Sequence, residues 1–130
     1  MADFVGVKNV VSCANGTDAL SLALMIYDVG PGDAVFCPTF TFFATGEVIA
    51  SAGATPVFID SDPRTFNMCA IDLRKKINAT QGDKKLRPKG VIAVDLFGLP
   101  ANYPAIEPLC KEFDLFLIED AAQGMGGNID

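Results

Sequence analysis

Short apolar runs alternate along the chain with stretches whose apolar residues keep helical spacing. Val10-Val11-Ser12-Cys13-Ala14 predicts a short buried strand, and Asn15-Gly16-Thr17 predicts a turn with capping residues. Leu20, Ala23, Leu24 and Tyr27 recur at i, i+3, i+4 and i+7, the face of a helix that Gly30-Pro31-Gly32-Asp33 ends. Ala34-Val35-Phe36-Cys37 predicts a second strand, closed by Pro38. Thr41 is placed to cap a helix from Phe42 to Ala52, with Gly53 as its stop. Thr55 to Asp60 reads as a third strand and Ser61 to Thr65 as a loop. Leu73 and Ile77, one turn apart, predict a weaker helix over 70–78, and the polar run from Thr80 to Lys89 a mobile loop. Gly90 to Leu96 gives a fourth strand. Ile106, Leu109, Cys110 and Phe113 mark another helix face, where Pro108 lacks a backbone N–H and predicts a kink or a late start. Leu115 to Ile118 is the fifth strand, ended by Glu119-Asp120. Gly124, Gly126 and Gly127 then dominate a tail without periodicity, read as flexible.

The predicted strands are continuous apolar runs rather than alternating ones. Strands of that kind are buried on both faces, so the expected fold is α/β: a mainly parallel sheet of five βα units between helices, a three-layer sandwich. No internal repeat or low-complexity segment interrupts it.

Composition narrows the picture. With 130 residues, 50% of them hydrophobic and 20% charged, the chain is one domain's worth and can bury a core. No apolar run approaches the ~18 residues of a membrane span. Met1 to Lys8 has neither a basic region nor a long apolar one, so no signal peptide is expected and the reading is cytoplasmic. A net charge of −6 and a pI near 4.4 exclude the basic footprint of a nucleic-acid binder. Cys13, Cys37, Cys69 and Cys110 include no C-x-x-C pair, and the chain has no His, which argues against zinc. The four are expected to be reduced core thiols. Without His, Ser-His and Cys-His nucleophiles are excluded as well.

Ligands of open parallel sheets bind beyond the carboxyl ends of the strands. The Asn15-Gly16-Thr17-Asp18 turn opens a helix whose free N–H groups suit a phosphate, and Gly16 lets the backbone come close. An ordinary N-cap is the bland alternative. Phe42 follows the second strand, where a flat ligand can stack on it, or else it is a core ring. Asp120 ends the fifth strand, where a carboxylate can hold a proton on a heteroaromatic nitrogen such as that of pyridoxal phosphate. Gln123 can donate to a ring oxygen. Asp60-Ser61-Asp62 can be a metal-binding pair of the sort found in nucleotide-sugar transferases, although Pro63 makes a turn natural there.

Five segments occur in one order across nearly the whole chain: Ser12-Cys13-Ala14-Asn15-Gly16-Thr17-Asp18-Ala19-Leu20, Pro38-Thr39-Phe40-Thr41-Phe42, Gly53 to Asp60, Asp95-Leu96-Phe97-Gly98-Leu99-Pro100-Ala101, and Glu119-Asp120-Ala121-Ala122-Gln123. In that order they resemble the DegT/StrS type of pyridoxal-phosphate-dependent sugar aminotransferase, which has the aspartate-aminotransferase-like fold. The resemblance implies a cofactor, pyridoxal 5'-phosphate, and a role for each matching position. Gly16, Thr17 and Asp18 look like the turn that cradles its phosphate. Phe42 looks like the ring that stacks on it, Asp120 like the partner of its pyridinium nitrogen, and Gln123 like the contact to its ring hydroxyl. The implied reaction moves an amino group from an amino-acid donor such as glutamate to a nucleotide-linked keto-sugar, in a homodimer with active sites near the subunit interface.

The same resemblance implies that part of the family's pattern is missing. Its Schiff-base lysine lies downstream of the Asp-Ala-Ala-Gln segment, and none of Lys8, Lys75, Lys76, Lys84, Lys85, Lys89 or Lys111 stands in that context. The related dehydratases carry His there instead. The expectation is a fragment, residues 1–130 of the large domain without the small C-terminal domain, holding no catalytic residue and not turning over alone. The family pairs its first strand with one that follows the catalytic region, so Val10 to Ala14 is expected to have a free edge, another partner, or a neighbouring chain. Two other classes stay open: a phosphoacceptor receiver domain with Asp60 as acceptor, and a metal-dependent nucleotide-sugar transferase. The receiver reading lacks the acidic pair on the first strand and ends the fifth in Glu119-Asp120 rather than Lys.

Overall fold

A computed structural model describes residues 1–128 of the chain. Four strands form: β1 (Asp33–Pro38), β2 (Thr55–Ile59), β3 (Arg87–Val94) and β4 (Phe116–Asp120). Their order is β2-β1-β3-β4 and every neighbouring pair is parallel, as the double-sided apolar runs predict. Helices α1 (Ala2–Val5), α2 (Gly16–Ile26), α3 (Ala44–Ser51), α4 (Ala70–Gln81) and α5 (Tyr103–Glu112) complete the chain, with a 3-10 turn at Leu96–Gly98.

The pleat splits the core into two layers. Val35, Cys37 and Ile92 face α2 and α3, packing with Leu20, Leu24, Val48 and Ile49. Phe36, Val91 and Ala93 face α4 and α5, packing with Leu73, Ile77, Ile106 and Leu109. Each large apolar side chain buried this way contributes roughly 1.5–3 kcal/mol relative to exposure. Gly90 leaves room for the Phe116 ring, which has no space for a Cβ beside it, and Tyr27 stacks on the same ring at 4.2 Å and 13°. The end of α2 is thereby tied to β4.

Several boundaries differ from expectation, each for a physical reason. Val10 to Ala14 is not a strand: it has no partner, and Val11 is 85% exposed. A ladder needs another chain segment's N–H and C=O, and among the described residues none lies beside this one. Cys13 is exposed for the same reason, whereas Cys37 and Cys110 are buried and Cys69 is half-buried, all four as free thiols. The polar stretch from Thr80 is only partly a loop. α4 continues to Gln81, and β3 begins at Arg87, whose Nε donates to buried Asp33 at 2.8 Å and whose N–H reaches the Gly32 carbonyl. β4 extends to Asp120, with Glu119 and Asp120 registered against Ala93 and Val94. Thr41 does not cap α3; its hydroxyl lies 3.0 Å from that of Thr45, and the helix starts at Ala44. Gly53 does stop α3, at φ +80°. α5 runs through Pro108, because the single bond forfeited is to a first-turn carbonyl while Ile106, Leu109 and Cys110 stay buried. The glycine tail is folded into turns, with the Gly124 N–H on Ala121 and the Gly127 N–H on Gly124.

Candidate functional site

The chain leaves β1 for α3 on one face of the sheet and leaves β3 for α5 on the other. Such a divergence between adjacent parallel strands opens a crevice at their carboxyl ends. A cavity of about 320 Å³ lies there, walled by the start of α2, the segment after β1, and the ends of β3 and β4. Gly16, Thr17, Phe42, Asp120 and Gln123, five positions singled out from the sequence, all line it.

The α2 start is built by Asn15. Its extended backbone makes it the N-cap, its Oδ1 accepts the Asp18 N–H at 2.9 Å, and its Nδ2 donates to Asp18 Oδ2 at 3.0 Å. Asp18 therefore closes the cap and does not line the cavity. The N–H groups of Gly16 and Thr17 belong to the same first turn, at the positive end of the helix dipole. The space where a Cβ on Gly16 would stand is open to 4 Å, so an anion can approach that backbone.

Phe42 is no core ring: it is 71% exposed at the cavity wall. Asp120 is half-buried, and its Oδ1 accepts the Ala122 N–H at 3.2 Å while its carbonyl takes the Asp95 N–H. Gln123 Oε1 accepts the Phe97 N–H at 2.7 Å. Leu20, Val94 and Leu96 supply an apolar wall. Anion-ready N–H groups, a flat ring, an apolar wall and a carboxylate fit a phosphorylated aromatic heterocycle. None of the chain's lysines lines this cavity.

Asp60 and Asp62 lie elsewhere. Asp60 follows the edge strand β2 and accepts the Ser61 N–H, and its own N–H donates to Asp72. Asp62 Oδ1 accepts the N–H groups of Arg64 and Thr65, which holds the Asp62 carboxyl below its ordinary range. These carboxylates shape a turn, and among the described residues no group of three or more metal-ligating side chains gathers.

The opposite side of the rim carries a second set of polar groups, Asp95, Tyr103 and Glu119, around a separate cavity of about 400 Å³. Asp95 Oδ1 accepts the Ala101 N–H at 2.9 Å and the Tyr103 hydroxyl at 2.8 Å. Burial, followed by the bond to Asp95 and nearby acidic charge, pushes the Tyr103 hydroxyl well above its ordinary range. Glu119 is raised as well, first by burial and then by the charge of Asp95. Burial pushes the Cys37 thiol up to about 12 and that of Cys110 to about 11, which leaves both unreactive. Asn67, missed in the sequence, is 3% exposed and bonded to Leu96, Leu99 and Pro100. Its one signal was an amide between Phe66 and Met68, since a polar group inside an apolar run must find partners once buried.

Residues 1–130 match the model of the DegT/DnrJ/EryC1/StrS aminotransferase family. Over 128 residues the chain is 44% identical to the UDP-2-acetamido-2-deoxy-3-oxo-D-glucuronate aminotransferase of Pseudomonas aeruginosa, a match covering 98% of this chain and 34% of that protein. It is similar to the crystal structure of a DegT DnrJ EryC1 StrS aminotransferase from Brucella abortus, with a TM-score of 0.92 and 52% identity over 94% of this chain and 33% of that one. Against NtdA from Bacillus subtilis with bound cofactor PMP the TM-score is 0.86 at 27% identity, over 96% of this chain and 27% of that one. The chain thus spans about a third of the length of the Pseudomonas relative, 34% of it.

Proposed function

Because the chain belongs to the DegT/DnrJ/EryC1/StrS aminotransferase family, we propose that the protein carrying it moves an amino group from an amino-acid donor such as glutamate to a nucleotide-linked keto-sugar. The cofactor of this reading is pyridoxal 5'-phosphate, and residues 1–130 form part of its large domain. One observation carries it: Gly16, Thr17, Phe42, Asp120 and Gln123, scattered along the sequence, border one cavity.

Each residue has a task that follows from its chemistry. The Gly16 and Thr17 N–H groups hold the phosphate at the α2 N-terminus, and Asp18 keeps Asn15 in place as the cap of that turn. Phe42 covers one face of the ring. Asp120 keeps a proton on the ring nitrogen, and Gln123 donates to the ring oxygen. When bound, the cofactor supplies an electron sink beside the carbon that gains or loses nitrogen. The apolar wall of Leu20, Val94 and Leu96 excludes water and strengthens the charge interaction at Asp120.

The exposed apolar side chains of Val11, Leu22, Met25 and Ile26 support a homodimer or a larger subunit, since so much bare apolar surface is adhesive. The thiols are reduced and the protein is cytoplasmic in this reading. No described helix is long and apolar enough to cross a membrane. Residues 1–130 by themselves bind the cofactor weakly and without a covalent link, because no lysine reaches the cavity. Borohydride reduction followed by mass spectrometry tests this; one stoichiometric adduct at a single lysine would overturn it. For the complete protein the test is amino transfer from glutamate to a UDP-linked 3-keto sugar, followed with the absorbance of added pyridoxal phosphate. Absence of any saturable absorbance change refutes the cofactor assignment.

A further inference from the structure

The loop after β3 has its own turn bonds, Gly98 N–H to the Asp95 carbonyl and Leu99 N–H to the Leu96 carbonyl, and is tied to the rest of the chain by a buried amide. Asn67, in the connection between β2 and α4, donates from Nδ2 to the Leu99 carbonyl at 2.9 Å and the Pro100 carbonyl at 3.2 Å. Its Oδ1 accepts the Leu96 N–H at 3.1 Å. Both ends of the Leu96–Pro100 loop are therefore fixed to a single side chain. Between those ends lies Phe97 at φ +58°, a left-handed conformation that a bulky residue keeps only where its surroundings hold it. In that conformation the Phe97 N–H meets Gln123 Oε1 at 2.7 Å. An amide whose oxygen is occupied in this way has its NH₂ group left to offer.

We propose that Asn67 is a positioning residue: by clamping the Leu96–Pro100 loop it keeps the Phe97 N–H on Gln123, so that Gln123 presents the cavity with a donor instead of an acceptor. The ligand atom this selects is an anionic aryl oxygen. A Gln123 amide released from Phe97 can turn its own oxygen toward that anion, which repels it. The inference rests on the reading of Gln123 as the contact to the cofactor's ring oxygen.

The complete protein serves for the test, in two states. Without cofactor, amide hydrogen exchange is followed at Phe97, with Ile92 in β3 as the control. Asn67→Ala is expected to speed exchange at Phe97 about tenfold by local opening, which urea barely affects, while exchange at Ile92 follows global stability and rises steeply with urea. No acceleration at Phe97, or one with the same urea dependence as exchange at Ile92, overturns the inference. With pyridoxal phosphate bound, the pH midpoint of its absorbance change is compared among Asn67→Ala, Gln123→Met and the double variant. Losing a donor to an anionic oxygen raises that midpoint, here by about one pH unit. Both single variants are expected to move it upward, and the double variant no further than Gln123→Met. A parental midpoint in Asn67→Ala beside a shifted one in Gln123→Met, or additive shifts, overturns the inference and leaves the reading of Gln123 standing. A parental midpoint in Gln123→Met overturns that reading, and the inference with it. Should Asn67→Ala fail to fold, Asn67→Ser keeps one hydroxyl donor and is expected to give a smaller shift in the same direction.

Discussion

Asp95 and Asp120 stand at the ends of adjacent strands, the Asp95 N–H on the Asp120 carbonyl, yet they have opposite surroundings. Asp95 is 1% exposed, and its Oδ1 takes both a backbone N–H and the Tyr103 hydroxyl. Asp120 is half-buried on the cavity wall, with a backbone bond from Ala122. Asp95, at the edge of a separate cavity with Tyr103 and Glu119, is taken up by bonds within the chain, whereas Asp120 opens onto the cavity beside α2. An acid at the end of an apolar strand therefore announces neither role by itself. The pleat decides, because Val94 and Asp120 turn to the α2 side while Asp95 sits among groups from α5.

The sharpest way to break this contrast is Asp120→Asn in the complete protein. Transamination is expected to fall on the order of 100- to 1,000-fold, as for other lost charge-stabilising groups, with little change in thermal stability. Parental rates would place Asp120 in the same structural class as Asp95. Asp95→Ala should do the reverse. It leaves the Ala101 N–H and the Tyr103 hydroxyl without their acceptor, a loss of about 2–4 kcal/mol in urea denaturation. A cost below that of Asp120→Asn would erase the distinction.

Gly124→Ala probes the point where the two regions touch. A Cβ there would stand 2.5 Å from the Asp95 Cβ and 3.0 Å from its Oδ2, and the expected loss is about 1–3 kcal/mol, again by denaturation. A stability equal to the parent's would mean that the turn after β4 adapts freely to Asp95. The smallest effect is a pH dependence centred on Glu119. Its carboxyl is raised in the folded chain, so its contribution to stability is complete below the ordinary Glu value of 4.5 and is lost as pH rises through the raised value. Glu119→Gln should therefore gain stability relative to the parent as pH rises across that window. A flat difference in melting temperature between 4.5 and neutrality sinks the assignment.

Both cores were legible because their residues are written locally. Val35, Phe36, Ile92 and Ala93 lie in apolar runs, and Leu20 and Leu24 keep helical spacing. The cavity residues were legible as strand-end and helix-start positions. What escaped depends on distant partners. The start of β3 hides in polar residues because Arg87 answers Asp33 from 54 positions away. Asn67 bonds to groups 29 to 33 positions ahead, which no local pattern records. Val10 to Ala14 failed in the other direction: its composition suits a strand, but a strand also needs a neighbour.

The strand order sets a sequence of events during folding. β1 and β2 are joined through α3 alone and pair Ala34 with Thr55; β3 and β4 are joined through α5 and pair Gly90 with Phe116. Each is a compact βαβ unit with a short loop to close. The seam between β1 and β3 is the long-range step, since Asp33 must find Arg87 across the whole of β2 and α4. Loop closure grows costly only slowly with length, but it is spent before the seam returns any contact, so this pairing is expected to be the slow one, with refolding slowed more by Asp33→Ala than by an equally destabilising change in α5. Thr41 and Phe42 come from the first unit and Asp120 and Gln123 from the second, and the cavity they line comes into being only when the seam closes.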